Sequence, residues 1–329
     1  MQTCYSAILA GFGSELPPKR MTNEELSKLV DTNDEWIVQR TGIRERRIAV
    51  EGETTASLGT AACKKAIESA GLVPRDIELI VCATITPEMV FPSTGCFIGA
   101  ALGIGGVPAF DMSAACSGFL YALAIGASFV KAGQYKNVLV VGAETLSRIT
   151  DFKDRGSCIL FGDGAGAVVV QRSTEVGRGL IYSALHADGN GAEAMKCMPG
   201  SRYPISQELV DNRQQYMQLK GREVYKFAVT KFEELIREAM RSCELTADTL
   251  KLIVPHQVNQ RIIDSAMERL GLPPEKAFVN IDRYGNTSAA SIPIALDEAY
   301  RAGQLKKGDA VIFVAFGGGL TWASAVVRI

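Results

Sequence analysis

The chain contains an internal repeat. Ala66-Ile-Glu-Ser-Ala-Gly-Leu72 aligns with Ala239-Met-Arg-Ser-Cys-Glu-Leu245, which puts Leu79-Ile80-Val81 on Leu252-Ile253-Val254. Further along, Ala132-Gly133-Gln134 falls on Ala302-Gly303-Gln304, and near the ends Ala167-Val168-Val169 falls on Ala325-Val326-Val327. The matches stay in order and their spacing drifts only slightly, so the sequence predicts two superposable halves, residues 1–175 and 176–329. The drift has a location: the first half carries about a dozen extra residues between Gly142 and Phe161. That insertion is a candidate functional loop.

Local pattern says what the halves are made of. The apolar runs Ala7–Ala10, Leu79–Ala83, Val138–Val141, Ala167–Val170, Leu252–Val254, Ala310–Ala315 and Ala325–Val327 read as buried strands. Helical stretches lie between several of them, at Ser57–Ala70, Gly118–Lys131, Tyr225–Cys243 and Ala289–Ala302. Such alternation predicts an α/β architecture with helices flanking mostly parallel strands. With 329 residues, 47% hydrophobic and 22% charged, the chain can bury a real core and is unlike disordered or fibrous sequences.

Several function classes drop out. Thirty-five Lys and Arg against 36 Asp and Glu leave a net charge of -1, with no global basic field to attract nucleic acid. Eight cysteines without a C-x-x-C pair, and only two histidines, argue against a metal site. Met1 to Pro17 lacks the basic start and apolar stretch of a secretory signal, and no apolar run approaches the ~18–20 residues of a membrane helix. The expectation is a cytoplasmic chain with reduced thiols and no membrane attachment. Gly162-Asp-Gly-Ala-Gly-Ala167 has dinucleotide-like spacing, but the strand Val168–Val170 follows where a helix is required. Those glycines read instead as points of close backbone approach.

Three residues carry candidate chemistry. Cys116 follows the predicted strand Val107–Met112 and opens a helix containing Gly118, Leu120 and Leu123. A helix N-terminus lowers a thiol pKa, so a nucleophilic thiolate is expected there. The repeat, taken in the register of Ala132 on Ala302, places Cys116 on Asn286, which follows a predicted strand Val279–Ile281. His256 follows Leu252–Pro255 directly, at a strand's carboxyl end, where ligands bind in α/β sheets. Cys116, His256 and Asn286 are thus expected to converge across a pseudo-dyad. Phe316-Gly-Gly-Gly-Leu320 reads equally as an oxyanion hole and as a plain hairpin turn. Cys63, Cys82, Cys158 and Cys243 read as core residues in strands or helices, and His186 as a loop residue without chemistry.

Six motifs in order then carry a family resemblance across essentially the whole chain. They are Asp34-Glu-Trp-Ile37 with Arg40-Thr-Gly-Ile-Arg44, Ala114-Ala-Cys-Ser-Gly-Phe119, Asp154-Arg-Gly156 with Leu160-Phe-Gly-Asp-Gly-Ala-Gly-Ala167, Val254-Pro-His-Gln-Val-Asn259, Gly285-Asn-Thr-Ser-Ala-Ala-Ser291 and Phe316-Gly-Gly-Gly319. The sequence resembles beta-ketoacyl-acyl carrier protein synthase III, the priming condensing enzyme of type II fatty acid synthesis. The resemblance implies a thiolase fold, a duplicated five-layered αβαβα structure, and a homodimer. It implies no cofactor, coenzyme A entering only as a substrate thioester.

By matching position, the resemblance assigns Cys116 as nucleophile toward an acyl-CoA, acetyl-CoA foremost, with His256 and Asn286 assisting decarboxylation of malonyl-acyl carrier protein. It places the amides of Cys116 and Gly318 in the oxyanion hole. It puts Trp36 and Arg155, with Gly156, around the adenine of coenzyme A, and Arg40 and Thr41 at its phosphates. It assigns Phe91, reaching from a partner subunit, Tyr225 and Phe316 to the acyl pocket and tunnel, and Lys226, Gln257, Arg261 and Arg269 to carrier-protein docking. Tyr225 stands where Phe is usual and Ser117 where Ala is common. Acyl transfer from Cys116 without carbon–carbon bond formation, and a catalytically dead subunit, remain as alternatives; intact Cys116, His256 and Asn286 favour condensation.

Overall fold

The computed structural model of the chain describes residues 5–329, so Cys4 lies outside the described residues. One sheet holds β1 (Ser6–Glu15), β2 (Leu79–Ala83), β3 (Ala109–Met112), β4 (Asn137–Thr145) and β5 (Asp163–Ser173), in the order β1-β5-β4-β2-β3. A second holds β6 (Gly179–Ala187), β7 (Leu250–Pro255), β8 (Ala310–Gly317) and β9 (Thr321–Arg328), in the order β7-β8-β9-β6.

Four of the five strands in the first sheet match the four strands of the second. β2 and β4 run parallel with Leu79 opposite Val138, and β7 and β8 run parallel with Leu252 opposite Val311. In each sheet the next two strands are antiparallel, β5 and β1 in one, β9 and β6 in the other. The counterpart of β3 is reduced to a single parallel bridge between Ile253 and Ala277. The strand expected at Val279–Ile281 therefore does not form; Ile281–Tyr284 is a helical turn instead. The Gln257 side chain explains this, because it donates to the Phe278 carbonyl and accepts from the Asn280 amide, the groups a strand would have paired.

Alternation along the strands sets the layers, since successive side chains point to opposite faces. Leu79, Val81 and Ala83 of β2 face inward with Val254 and Leu252 of β7, and between the sheets lie α4 (Gly118–Lys131) and α7 (Ser291–Arg301). Helix α4 is buried nearly all round, as its run of Phe119, Leu120, Leu123, Ala127 and Val130 demands of a central layer. Ile80 and Cys82 face the other way, onto α2 (Thr55–Ser69) and α3 (Thr94–Ala101). Ile253, Ile312 and Val314 face α5 (Gly221–Ser242) and α6 (Gln260–Leu270). α1 (Asp34–Thr41) lies outside this stack with the cluster of Leu26, Ile37 and Ile281. The result is the five-layered αβαβα arrangement.

The halves also correct the repeat's register. Short helical turns, Ala115–Ser117 and Ser288–Ala290, lead into α4 and α7, and each opens on a left-handed residue, Ala115 at φ 46° and Ser288 at φ 47°. Cys116 is therefore the counterpart of Ala289, and Asn286 that of Ser113. The sequence register failed because α4 has 14 residues and α7 only 11, so the spacing shifts after the site, inside the helices. The insertion is real: residues 146–162 join β4 to β5, where residues 318–320 suffice to join β8 to β9. Cys158 sits buried in that connection rather than in a strand or helix. His186 is on β6, stacked 5.5 Å from the Trp322 ring of β9, not in a loop. Among the described residues no helix is long and apolar enough to cross a membrane, and no group of three or more His, Cys, Asp or Glu is placed to hold a metal ion.

Candidate active site

Cys116 stands on the turn that opens α4, 6% exposed. Gly317, at the end of β8, runs so close that a Cβ there would lie 2.5 Å from the Cys116 amide nitrogen. Only glycine lets the strand approach this far. The thiol does not behave as the helix end alone predicts. Burial pushes it up to about 12 from 9, and the nearby Glu144 carboxylate adds to the rise, although Ser288 and the Cys116 amide pull it down. That rise is worth about 4 kcal/mol against the thiolate, whereas a helix terminus supplies about 0.3–1 kcal/mol, so desolvation wins. The expected standing thiolate is corrected to a thiol that must lose its proton as it reacts.

His256 continues β7 and is fully buried, which pushes its pKa down to about 3. The ring is neutral across the physiological range. Its Nδ1 lies 2.7 Å from Ser291 Oγ at the first turn of α7, and the same oxygen accepts from the Gln257 amide at 3.4 Å. Among the described residues Nδ1 is the one acceptor paired with that hydroxyl, so the serine donates to Nδ1 and the hydrogen sits on Nε2. Nε2 is buried and has no protein partner among the described residues. It is a neutral donor aimed into the site.

Asn286 is pinned by the first half's insertion: its amide donates to the Leu160 carbonyl and its carbonyl accepts from Gly162. Its side-chain Oδ1 accepts from the Ser288 amide at 2.8 Å, so the carboxamide presents its NH2 end elsewhere. Cys116, His256, Asn286, Ser288 and Phe316 line one enclosed, almost wholly apolar cavity of about 40 Å³. At about 10–15 Å³ per water this holds about three waters or a short acyl group. Ile85, Met195 and Met217 line both this cavity and an open cleft of about 570 Å³ that also includes Gly318.

The outer residues divide. The Trp36 ring has the guanidinium carbons of Arg40 and Arg155 each 4.6 Å from its centroid. Arg155 comes from the insertion and also donates to the Asp31 carbonyl, so a planar ligand enters only by displacing its guanidinium from the indole. The Gly156 amide is taken by Asp154 Oδ1. Thr41 is corrected: its hydroxyl is buried, donating to the Ile37 carbonyl and accepting from the Ile43 amide, so it has nothing to offer a phosphate. Gln257 is likewise 1% exposed and fully engaged in holding the loop after β7, so it is no docking residue.

Lys226 and Arg261 are exposed on the packed pair α5 and α6, with Arg261 6.0 Å from the Tyr225 ring. Arg269 is exposed but paired with Glu233 at 3.6 Å. Tyr225 packs beside the second sheet's outer core while its neighbour Val224 reaches the cavity. Phe91 is outside the chain's own cavity, 82% exposed at the tip of a loop with Val90. Three polar residues at the site, Ser288, Ser291 and Glu144, escaped sequence analysis. Ser291 lay within a quoted motif without a role, and Glu144, 0% exposed, sits beside the nucleophile at the end of β4. A lone acid closing the apolar run Val138–Val141 at a strand's carboxyl end was the available signal.

Comparison with known proteins agrees with this geometry. Residues 110–189 match the family model 3-oxoacyl-[acyl-carrier-protein] synthase III, and residues 240–329 match the model of that family's C-terminal part. A beta-ketoacyl-[acyl-carrier-protein] synthase III from Caldanaerobacter subterraneus is 52% identical over 325 residues, 98% of each chain. The crystal structure of 3-oxoacyl-[acyl-carrier-protein] synthase III from Aquifex aeolicus superposes with a TM-score of 0.91 at 48% identity, covering 98% of this chain and all of that one. The priming beta-ketosynthase of the R1128 polyketide pathway superposes at 0.92 with 36% identity, covering 100% of this chain and 98% of its own. The fold is the thiolase fold, and the chain belongs to the beta-ketoacyl-[acyl-carrier-protein] synthase III family.

Proposed function

We propose that the protein catalyses the decarboxylative condensation of an acyl-CoA with malonyl-acyl carrier protein, initiating fatty acid synthesis through an acyl-Cys116 intermediate. One observation carries the reading: a thiol, a neutral imidazole and a carboxamide line the same enclosed apolar cavity. A buried thiol attacks a thioester, and the covalent intermediate splits one difficult step into two, giving ping-pong kinetics. The tetrahedral oxyanion then accepts from the amides of Cys116 and Gly318. Loss of carbon dioxide from the malonyl group leaves an enolate oxygen. His256 Nε2–H and Asn286 Nδ2–H donate to it, and both are strengthened because the cavity lining is almost wholly apolar. The enolate carbon attacks the acyl-Cys116 carbonyl, the carbon–sulfur bond breaks, and the Cys116 sulfur leaves as a thiolate that takes up a proton from solvent.

The small cavity favours an acetyl-sized starter. Trp36, Arg40 and Arg155 form the adenine and phosphate platform. Lys226 and Arg261 give an acidic carrier protein a local cationic approach despite the neutral total charge. The exposed apolar tip at Val90 and Phe91 suits burial in a homodimer, where Phe91 closes the partner's acyl pocket. Residues 1–175 and 176–329 are then the two half-domains.

The test is intact-protein mass after incubation with acetyl-CoA, followed by malonyl-acyl carrier protein. An acetyl adduct on Cys116 that clears as acetoacetyl carrier appears is the expected result. Acylation with the carrier left as malonyl would exclude condensation.

A further inference from the structure

The reaction above leaves one proton without an acceptor. The Cys116 thiol is held up to about 12 and His256 down to about 3, so neither a standing thiolate nor an imidazolium is available at neutral pH. Glu144 is the buried acid nearby. Its carboxylate accepts from Thr86 Oγ1 at 2.5 Å, from the Ile85 amide at 3.1 Å and from Thr84 Oγ1 at 3.2 Å. Among the described residues no cation compensates it; the titratable groups facing it are the Cys82 thiol of β2, with Asp111 of β3 beyond, and the Cys116 thiol. An uncompensated buried carboxylate is costly, and a neutral amide would accept the same bonds, so its retention calls for a use of its titration.

Ser288 supplies the link. Its hydroxyl is buried, lines the cavity, and lies beside both the Cys116 thiol and the Glu144 carboxylate. It completes no well-aligned bond with either. The residue is held at φ 47°, and its counterpart Ala115 adopts φ 46°, so the backbone there does not need the hydroxyl.

We propose that Glu144 holds the Cys116 proton during acylation, passed to it through the Ser288 hydroxyl. As Cys116 Sγ bonds the thioester carbonyl carbon, its proton moves to Ser288 Oγ, and the serine's own proton moves to Glu144. When the tetrahedral intermediate collapses, the bond from carbon to the coenzyme A sulfur breaks. The proton returns along the same path, so coenzyme A leaves as a thiol. One sulfur–carbon bond forms, one breaks, and nothing is oxidised. Burial holds Glu144 near about 7, where a group can both take and return a proton at neutral pH.

This inference rests on Cys116 as the acyl carrier, and its test separates the two. Cys116 acetylation by acetyl-CoA is followed by rapid-quench mass spectrometry, and its alkylation by iodoacetamide in parallel, from about pH 5.5 to 8.5. The wild type should acylate along a profile with a single inflection near neutrality. Glu144→Gln and Ser288→Ala should lose that inflection and slow about 10²–10⁴-fold at neutral pH, while Glu144→Asp restores part of it. Ser288→Ala keeps the test open if Glu144→Gln fails to fold, because alanine already occupies the equivalent backbone. Wild-type rates and profiles in both variants would overturn the relay. A wild type that never acylates would overturn the acyl-carrier reading, and the alkylation profiles, which need no acyl donor, would still decide whether Glu144 takes the thiol proton.

Discussion

Ser291 decides which nitrogen of His256 carries the hydrogen. Its hydroxyl has no other acceptor among the described residues and so donates to Nδ1, leaving Nε2–H for the enolate. Ser291→Ala removes that instruction. It should slow malonyl decarboxylation about tenfold, the worth of one orienting hydrogen bond, while Cys116 acetylates at the wild-type rate; carbon dioxide release and acyl-enzyme mass read the two steps separately. Cys116 and His256 were legible as a thiol at a helix opening and a His at a strand's end; Asn286 was reached through a repeat register that the structure shifts by three residues, and through its place in the Gly285–Ser291 motif. Their ionisation was not legible. The thiol pKa rises rather than falls because the second half closes over the first, and burial of that kind is a property of tertiary packing.

Elements do the positioning, and here single glycines and loops have measurable consequences. β8 reaches Cys116 only because position 317 has no side chain. Gly317→Ala should drive the Cys116 amide out of place and cut acetylation at least about a hundredfold, as loss of one oxyanion donor does, with the melting temperature lowered in the same variant. The insertion between β4 and β5 makes a different prediction. Arg155→Ala removes one guanidinium from Trp36 but touches nothing near Cys116, so KM for acetyl-CoA should rise several-fold with kcat little changed. The insertion itself showed in the sequence as a gap between two repeats. The register of the repeat at Cys116 did not, because a three-residue shortening of α7 is invisible until both helices are laid side by side. Thr41 and Gln257 were assigned by motif position alone, and position does not show that their side chains are already spent on holding loops.

At the scale of the whole molecule, duplication was legible because matching helix-to-strand segments recur in the same order in both halves, and five layers follow once two helices must be covered on both sides. That packing also buries two titratable groups whose effects on stability oppose each other. His256 titrates at about 3 folded and 6.5 unfolded, so between those values the unfolded chain binds a proton that the folded chain refuses. Its contribution to stability is lost as pH falls through that window, by about 1.4 kcal/mol per pH unit. Glu144 titrates at about 7 folded and 4.5 unfolded, so the folded chain keeps a proton that the unfolded chain has lost, and stability falls as pH rises. From 4.5 to 6.5 the two slopes cancel. Relative to wild type, Glu144→Gln should therefore lose stability on acidification across that window, by about 3 kcal/mol in total. His256→Asn should gain by a similar amount. Urea midpoints at one protein concentration measure both. Variants that track the wild-type profile in parallel would mean that neither group changes its proton affinity on folding, and the electrostatic account of the site would fall with that result.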